Sequence, residues 1–480
     1  MLFSSPVFLF GFLPLTLFLY YISPRKLKNI ILLFCSLFFY AWGEVFYVLV
    51  MIVSIVYNYS IGILLYKYED NLFLYKFLFF IGVFVNIIIL VFFKYFNFII
   101  ENINIVFIGL NFEPFCVDPV HLPLGISFFT FQSISYIVDI YRKESIFQRN
   151  IIDLALYISL FPQLIAGPIV RYYDIARQIT GRTHFFREFA EGVQRFVYGL
   201  GKKMLLANPL GEVADSVFAL SGTDLTMPLA WIGIAAYTLQ IFFDFSGYSD
   251  MAIGLGRMFG FHFRENFNYP YIASSLREFW RRWHISLSTW FRDYVYIPLG
   301  GSRVAPVRVY CNLFIVFILT GFWHGASWNF IVWGLFHGIF LAAEHAGFST
   351  FLKKLWQPLQ HFYVILVVLI AWVFFRSETL SLSMAYLQAM ADFGNWETTK
   401  LQFLQVLSYE SMYAFFVGIF LSMPVCAYGK EYIYKKLNTK FMKLLFCVEI
   451  VNLTSFFIIL TLSILKVSAS TYNPFIYFRF

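Results

Sequence analysis

The sequence predicts an all-α polytopic membrane protein of roughly 11–13 membrane segments, and three observations carry the prediction. Of its 480 residues, 60% are hydrophobic, 22% aromatic and only 13% charged, a balance foreign to water-soluble globules. The apolar residues come in runs on the scale of a bilayer's hydrocarbon core, roughly 30 Å. The basic residues sit in short loops between those runs, as in the cytoplasmic loops of membrane proteins, so the net charge of +8 implies no nucleic-acid partner.

Taken in order, the apolar runs lie near 2–22, 29–42, 46–66, 77–99, 121–141, 188–206, 227–245, 309–323, 328–346, 360–376, 411–428 and 444–466. The run from Met1 to Tyr21 lacks a basic leading region and a small-residue cleavage pattern, so it reads as a retained span. Nothing charged precedes it and Arg25, Lys26 and Lys28 follow, which puts the N-terminus outside and this loop in the cytoplasm. Loop 67–76 carries Lys67 and Lys76 beside Glu69 and Asp70, loop 100–120 carries Glu101, Glu113 and Asp118 with no base, and loop 142–149 carries Arg142, Lys143 and Arg149. They alternate in, out, in. The next loop is basic again, with Arg171, Arg177, Arg182 and Arg187, so segment 151–170 does not cross.

That segment holds Pro162, Gln163, Gly167 and Pro168. Two prolines and a glycine break helix, and broken backbone at membrane depth is tolerated only inside protein or along a wet cavity. A re-entrant, cavity-lining element is expected, with a kinked span as the alternative. A second interruption is read at Asp244-Phe245-Ser246-Gly247-Tyr248-Ser249-Asp250. Intramembrane carboxylates usually face a bundle interior; alternatively Asp244 and Asp250 cap helix ends or pair with arginine.

The densest charge lies between Arg264 and Arg308. Wound as one helix, 276–292 places Leu276, Phe279, Trp280, Trp283, Leu287, Trp290 and Phe291 on one side and Arg277, Arg281, His284, Ser288 and Arg292 on an adjoining one. Such a helix suits the membrane interface, with guanidiniums free to meet phosphates or carboxylates, or merely to anchor it to lipid head groups. Neighbouring positive charge would hold His284 neutral. Downstream, Val309–Trp323 and Trp328–Gly347 form a hairpin whose first arm is only about 22 Å as helix, so the turn carrying His324 is expected within the membrane. Gly321 and Gly325 flank it and permit close approach of a backbone or a substrate chain. His337 reads as a packed helix residue and His345 as a helix-end one.

A buried histidine, a cationic cytoplasmic helix and broken helices suit ester formation by acyl transfer. A neutral imidazole takes the proton of an attacking hydroxyl while nearby donors stabilise the oxyanion. Neither Gly-x-Ser-x-Gly nor a Walker phosphate loop occurs. Five isolated cysteines, Cys35, Cys116, Cys311, Cys426 and Cys447, offer neither a disulfide nor a zinc framework, so no metal is expected. The non-enzymatic alternative is a transporter or scaffold of a polysaccharide export complex.

The motifs Phe3-Ser4-Ser5-Pro6-Val7-Phe8-Leu9-Phe10, Pro162 to Arg171, Asp244 to Gly254, Phe279 to Tyr294, Tyr296 to Arg303, Phe322-Trp323-His324-Gly325 and Phe475 to Phe480 occur in order along the chain. Together they resemble the membrane-bound O-acyltransferase family, and most its bacterial alginate O-acetylase and peptidoglycan O-acetyltransferase branch. The resemblance implies that His324 is the catalytic histidine, that His284 is a second active-site polar residue, and that a tunnel joins a cytoplasmic donor to an acceptor on the far side. It also implies a separate extracytoplasmic SGNH-type acetyltransferase as partner and a polysaccharide acceptor. Gln163, Arg171, Asp244, Ser246, Asp250, Arg281, Ser288, Trp323 and Asn329 are the candidates for lining the tunnel. The donor is a substrate, acetyl-CoA or an acyl carrier protein, and no tightly bound cofactor is expected. D-alanyl transfer to teichoic acid from a carrier protein is the related alternative. The chain is expected to form one domain, 1–480, in the bacterial cytoplasmic membrane: N-terminal spans 1–120, a catalytic core 121–350 containing helix 276–292 and hairpin 309–346, and C-terminal spans 351–480.

Overall fold

A computed structural model describes residues 1–165, 167–398, 400–429, 442–469 and 472–474. Ala166, the side chain of Cys447 and the terminal motif from Phe475 to Phe480 lie outside the described residues. The regular structure of the described residues is helical, and they contain no strand. In chain order the helices used below are α1 (Val7–Ile22), α2 (Lys28–Ala41), α3 (Val48–Lys67), α4 (Leu72–Gly109), α5 (Ile126–Tyr141), α6 (Ile151–Ser159), α7 (Tyr172–Gly181), α8 (Phe186–Gly201), α9 (Asn208–Phe218) and α10 (Met227–Met258). They continue with α11 (Leu276–Arg282), α12 (Ile285–Phe291), α13 (Pro306–His324), α14 (Trp328–Ala343), α15 (Gln357–Arg376), α16 (Leu380–Ala391), α17 (Lys400–Val406), α18 (Tyr409–Leu421) and α19 (Met442–Ala469).

Among the described residues, seven helices are long and apolar enough to cross a membrane, or eight if α17 and α18, bent by 75°, form one span. This polytopic all-α architecture agrees with the sequence, but several apolar runs are interior helices rather than independent spans. The 16-residue α5 is buried from Ile126 to Ile140. The run at 188–206 is the amphipathic α8 followed by a wide π turn, Lys202–Ala207. Helices α1 and α2 fall short of the roughly 20 residues of a typical span, although Phe18 and Phe34 on them are exposed and they are not interior. Apolar length alone does not separate a helix wrapped by lipid from one wrapped by protein.

Loops 67–76 and 142–149, which the charge pattern puts on one side, lie together. Lys143 pairs with Glu69 at 3.6 Å and Phe147 stacks on Tyr66; at the other end His121 meets Glu44 at 3.3 Å. Segment 151–170 forms the nine-residue α6, the single turn Phe161–Leu164 and a non-helical stretch, and its described residues are buried from Asp153 onward. Nine helical residues reach only about 14 Å, far less than a bilayer.

Two expectations fail here. The stretch from Asp244 to Asp250 interrupts nothing: α10 runs unbroken for 32 residues. Gly247 serves packing, because a Cβ there would fall 2.7 Å from the carbonyl oxygen of Gly199 on α8, and Gly254 meets the Gly192 carbonyl in the same way. Conversely, 276–292 is not one helix. It breaks at Trp283–His284 into α11 and α12, and its tryptophan face is buried in protein instead of lying in the interface. Trp290 stacks on Phe131 with centroids 3.7 Å apart, and Trp283 meets Trp372 at 5.1 Å.

Buried side chains fall into two packing clusters, one built largely from residues 3–204 and the other largely from 206–414. α10 belongs to both, Phe245 to the second and Tyr248 to the first. The boundary also passes between Trp283 and Leu287, and between Trp323 and Phe330. Both candidate histidines stand on this seam.

Candidate active site

His324 is the last residue of α13, a helix of 19 residues. At about 28 Å this arm is almost a full span, so the short-arm reasoning for the depth of His324 does not hold and the residue ends a helix instead of sitting in a turn. Protein buries it. The ring is boxed by Trp323, Phe375 and Trp333, with centroids 5.0, 5.0 and 5.1 Å away, and the residue is 5% exposed. The hairpin closes tightly because a Cβ on Gly321 would strike the Phe330 carbonyl and one on Gly325 the Phe330 ring. The glycines thus seat α14 against α13 and leave no gap of their own for a substrate.

His284 is fully buried, with φ 42° and ψ 54°, the left-handed region that a non-glycine residue occupies at a cost. Two backbone hydrogen bonds hold it there: Asn268 N–H to the Arg282 carbonyl and Ile285 N–H to the Asn266 carbonyl, both 2.9 Å. Asn266 Oδ1 accepts from the Ser286 amide at 3.1 Å and the Ser286 hydroxyl at 2.8 Å, and His284 Nδ1 lies 3.2 Å from the same oxygen. An amide N–H can only donate, so the atom facing it is oxygen and Nδ1 carries the histidine's proton. Nε2 then holds the ring's accepting lone pair. Burial, not a neighbouring positive charge, pushes this imidazole down to about 3. Its ring contacts Phe245 at 4.5 Å and Trp323 at 5.8 Å. Trp323 therefore touches both histidines.

The sequence reading missed Lys94. It sits in α4 within an oily run, 8% exposed. Its ammonium donates to the Trp323 carbonyl, and lies 3.3 Å from Ser127 Oγ and 3.5 Å from the His324 carbonyl. Tyr95 OH donates to the Phe322 carbonyl at 2.6 Å, so two adjacent α4 residues cap the end of α13. The available signal was a single cation inside 77–99, which at membrane depth is by itself a functional hint. Asn266 was missed as well, and nothing in its sequence surroundings marks it.

A cavity of about 360 Å³ reaches His324, lined by Lys94, Ser127, Phe128, Ile165 and Trp323 together with Glu44 and His121. A second, about 570 Å³, is lined by Lys94, Leu122, Gly325, Ser327, Phe375 and Ser377. Lys94 belongs to both walls. At the opposite end of the bundle, a cavity of about 410 Å³ is bordered by Arg277, Arg281, Glu344 and Lys353.

The remaining candidates divide. Trp323 is central. Gln163 is buried with its amide donating to the Tyr157 carbonyl at 2.5 Å, while its neighbour Ile165 reaches the His324 cavity. Ile169 N–H donates to Ser286 Oγ at 3.0 Å, tying the broken segment to the His284 loop. Asn329 donates to the Ser377 carbonyl at 2.6 Å beside the second cavity. Ser246 is buried on α10, and Ser288 Oγ lies 3.4 Å from the Trp283 carbonyl. Arg281 is exposed at the far-end cavity, away from the histidines. Arg171 is neutralised by Asp174 and Asp293, at 3.1 and 2.5 Å. Asp244 pairs with Lys203 at 2.8 Å, and Asp250 with Arg195 and Lys202 at 2.8 and 2.6 Å. These three charged groups are committed to ion pairs that pin helices. No cluster of three or more metal-ligating side chains occurs among the described residues.

A sequence profile of the membrane-bound O-acyltransferase (MBOAT) family matches residues 143–388, which span α6 through α15 and both histidines. The chain belongs to this family. It is a membrane O-acyltransferase. Across its whole length and theirs it is 41% identical to the probable alginate O-acetylase AlgI of Azotobacter vinelandii and 42% identical to that of Pseudomonas putida. It is 34% identical to the peptidoglycan O-acetyltransferase of Helicobacter pylori, over all of this chain and 98% of that one. These matches take in the N-terminal helices as well as the region that the family profile covers.

Proposed function

We propose that the protein passes an acetyl group from a cytoplasmic thioester across the bacterial inner membrane for O-acetylation of an exported or cell-wall polysaccharide, alginate-like or peptidoglycan. The observation that carries this reading is the position of His324: at the wall of a cavity reaching toward Glu44 and His121, with the Arg277/Arg281 cavity at the opposite end. The names of the full-length relatives support acetyl as the group and a polysaccharide as the destination. A separate extracytoplasmic SGNH-type acetyltransferase is the expected next carrier, and the donor is acetyl-CoA or an acyl carrier protein.

In the reaction, His324 removes the proton of the acceptor hydroxyl as its oxygen bonds to the thioester carbonyl carbon. The carbonyl electron pair moves onto oxygen. Collapse of that tetrahedral species breaks the C–S bond, and the thiolate takes the proton back from the imidazolium, leaving ester and thiol. His284, neutral and buried behind Trp323, helps to fix the ring that walls the His324 cavity.

Replacing His324 by Ala tests the reading. The rate of polymer ester formation per inserted molecule should fall roughly 10²–10⁴-fold; undiminished acetylation by a normally inserted protein refutes the catalytic assignment. The exposed Arg277 and Arg281 beside Lys353 favour one further variant of the reading, D-alanyl transfer from a small acidic carrier protein. Pull-down with such a carrier decides between them. Movement of sugar across vesicles without acyl transfer would instead favour a transporter.

A further inference from the structure

We propose that the Lys94 ammonium is the counter-charge of the acyl-transfer step, binding the oxyanion that forms when the acceptor attacks the thioester. This rests on the acyl-transfer reading above. Four observations lead to it. The lysine is buried at the centre of a membrane helix, where an ammonium is costly unless a partner offsets it. Among the described residues it enters no ion pair with a carboxylate: its neighbours are the carbonyls of Trp323 and His324 and the hydroxyl of Ser127, all neutral. The other two buried cations among the described residues each have a carboxylate: Lys203 has Asp244, and Arg171 has Asp174 and Asp293. Finally, among the described residues only Lys94 and Leu122 border both the cavity that holds His324 and the cavity beyond Gly325, so a substrate passing between them meets its ammonium.

A helix cap needs only a neutral donor. The carbonyls at the end of α13 would be served by an amide, without the expense of a buried charge. A full positive charge is useful where negative charge appears only transiently, and a fixed cation in a water-poor site stabilises that transient without reorganising. No proton leaves Lys94 in this role. His324 handles the proton, the carbonyl oxygen gains and then returns the electron pair, and the ammonium remains charged throughout. Its bond to the His324 carbonyl also fixes the two groups relative to each other.

Lys94→Gln keeps a donor for the Trp323 carbonyl and removes the charge. The initial rate of polymer ester formation per inserted molecule should fall roughly 10²-fold, with the melting temperature of the purified protein close to wild type. Lys94→Ala in membrane vesicles should regain activity with added 1-propylamine, in proportion to its protonated fraction, and not with 1-propanol. A Lys94→Gln rate within about tenfold of wild type overturns the inference. So does equal rescue by amine and alcohol, which identifies a packing role. If Lys94→Gln melts early, the amine-specific rescue of Lys94→Ala decides. His324→Ala run alongside separates the two claims: loss there with retention in Lys94→Gln removes only the role of Lys94, whereas retention in both removes acyl transfer at this site.

Discussion

His284 holds a backbone conformation that costs roughly 1–3 kcal/mol for a residue with a Cβ, and the cost is met by the Asn266 loop. Asn266→Leu should strand the Ser286 amide and the His284 N–H, lowering stability by roughly 1–3 kcal/mol for each and abolishing the tautomer that leaves Nε2 accepting. Asn266→Asp, which keeps the acceptor oxygen, should be much milder; equal thermal shifts and equal rates for the two variants would refute this assignment. The protonation of His284 gives a second check. Its folded value, about 3, lies below its ordinary 6.5. The unfolded chain therefore binds the extra proton between those limits, and stability contributed by the neutral ring is complete above pH 6.5 and declines as the pH drops toward 3. Melting of a His284→Asn variant should lose that part of the decline; a pH dependence identical to wild type would show that the ring does not stay neutral. The two histidines were legible in the sequence as ionisable groups in an oily chain. Asn266 and the left-handed turn were not, because a loop asparagine eighteen positions away carries no periodic signature.

At the scale of helices, the pairing of α8 with α10 shows how a correct observation led to a wrong structure. Ser246-Gly247 looks like a helix breaker in sequence. In the fold, glycine at 247 and 254 on α10 meets glycine at 199 and 192 on α8, so the backbones touch, and Asp244 and Asp250 lie beside Lys203 and Arg195 on the same junction. Sequence shows that a glycine is present but not whether it frees the backbone or admits a neighbour. Gly247→Leu should cost roughly 1–3 kcal/mol or more in detergent-solubilised protein by overpacking. Asp244→Ala should cost roughly 3–5 kcal/mol by leaving Lys203 buried without its carboxylate, and Asp244→Ala with Lys203→Met should recover much of it. Thermal melts read both, and a double variant no better than the single one would show that the pair is not coupled. The histidine hairpin was located correctly from its two apolar arms, but the helix begins at Pro306, three residues earlier than the apolar run, and ends on His324 itself.

For the whole molecule, the charge pattern groups loop 67–76 with loop 142–149, and the structure brings Lys143 of one against Glu69 of the other. The number of spans was not legible in the sequence, since an interior helix such as α5 is as apolar as a lipid-facing one. The site lies where the two packing clusters meet, and neither cluster alone contains both histidines' walls: Trp323 comes from the first, Trp333 and Phe375 from the second. The two ends should be separable by mutation. Arg281→Glu, exposed at the far-end cavity, should raise the KM for thioester donor about tenfold while leaving kcat and the melting temperature near wild type. A fall in kcat with KM unchanged would refute a donor-binding role for that end.

The 19 residues of α13 also act as a ruler. From Pro306, beside the arginine-bearing end, to His324 is about 27 Å along the helix. A donor approaching from that end must carry its acyl carbon that far on something slender enough to thread between packed aromatic rings, while its bulk stays behind. Selection by arm length would then precede selection by chemistry: a short free thioester such as acetylated N-acetylcysteamine, lacking an anchoring head, could diffuse in but could not be held at the correct reach.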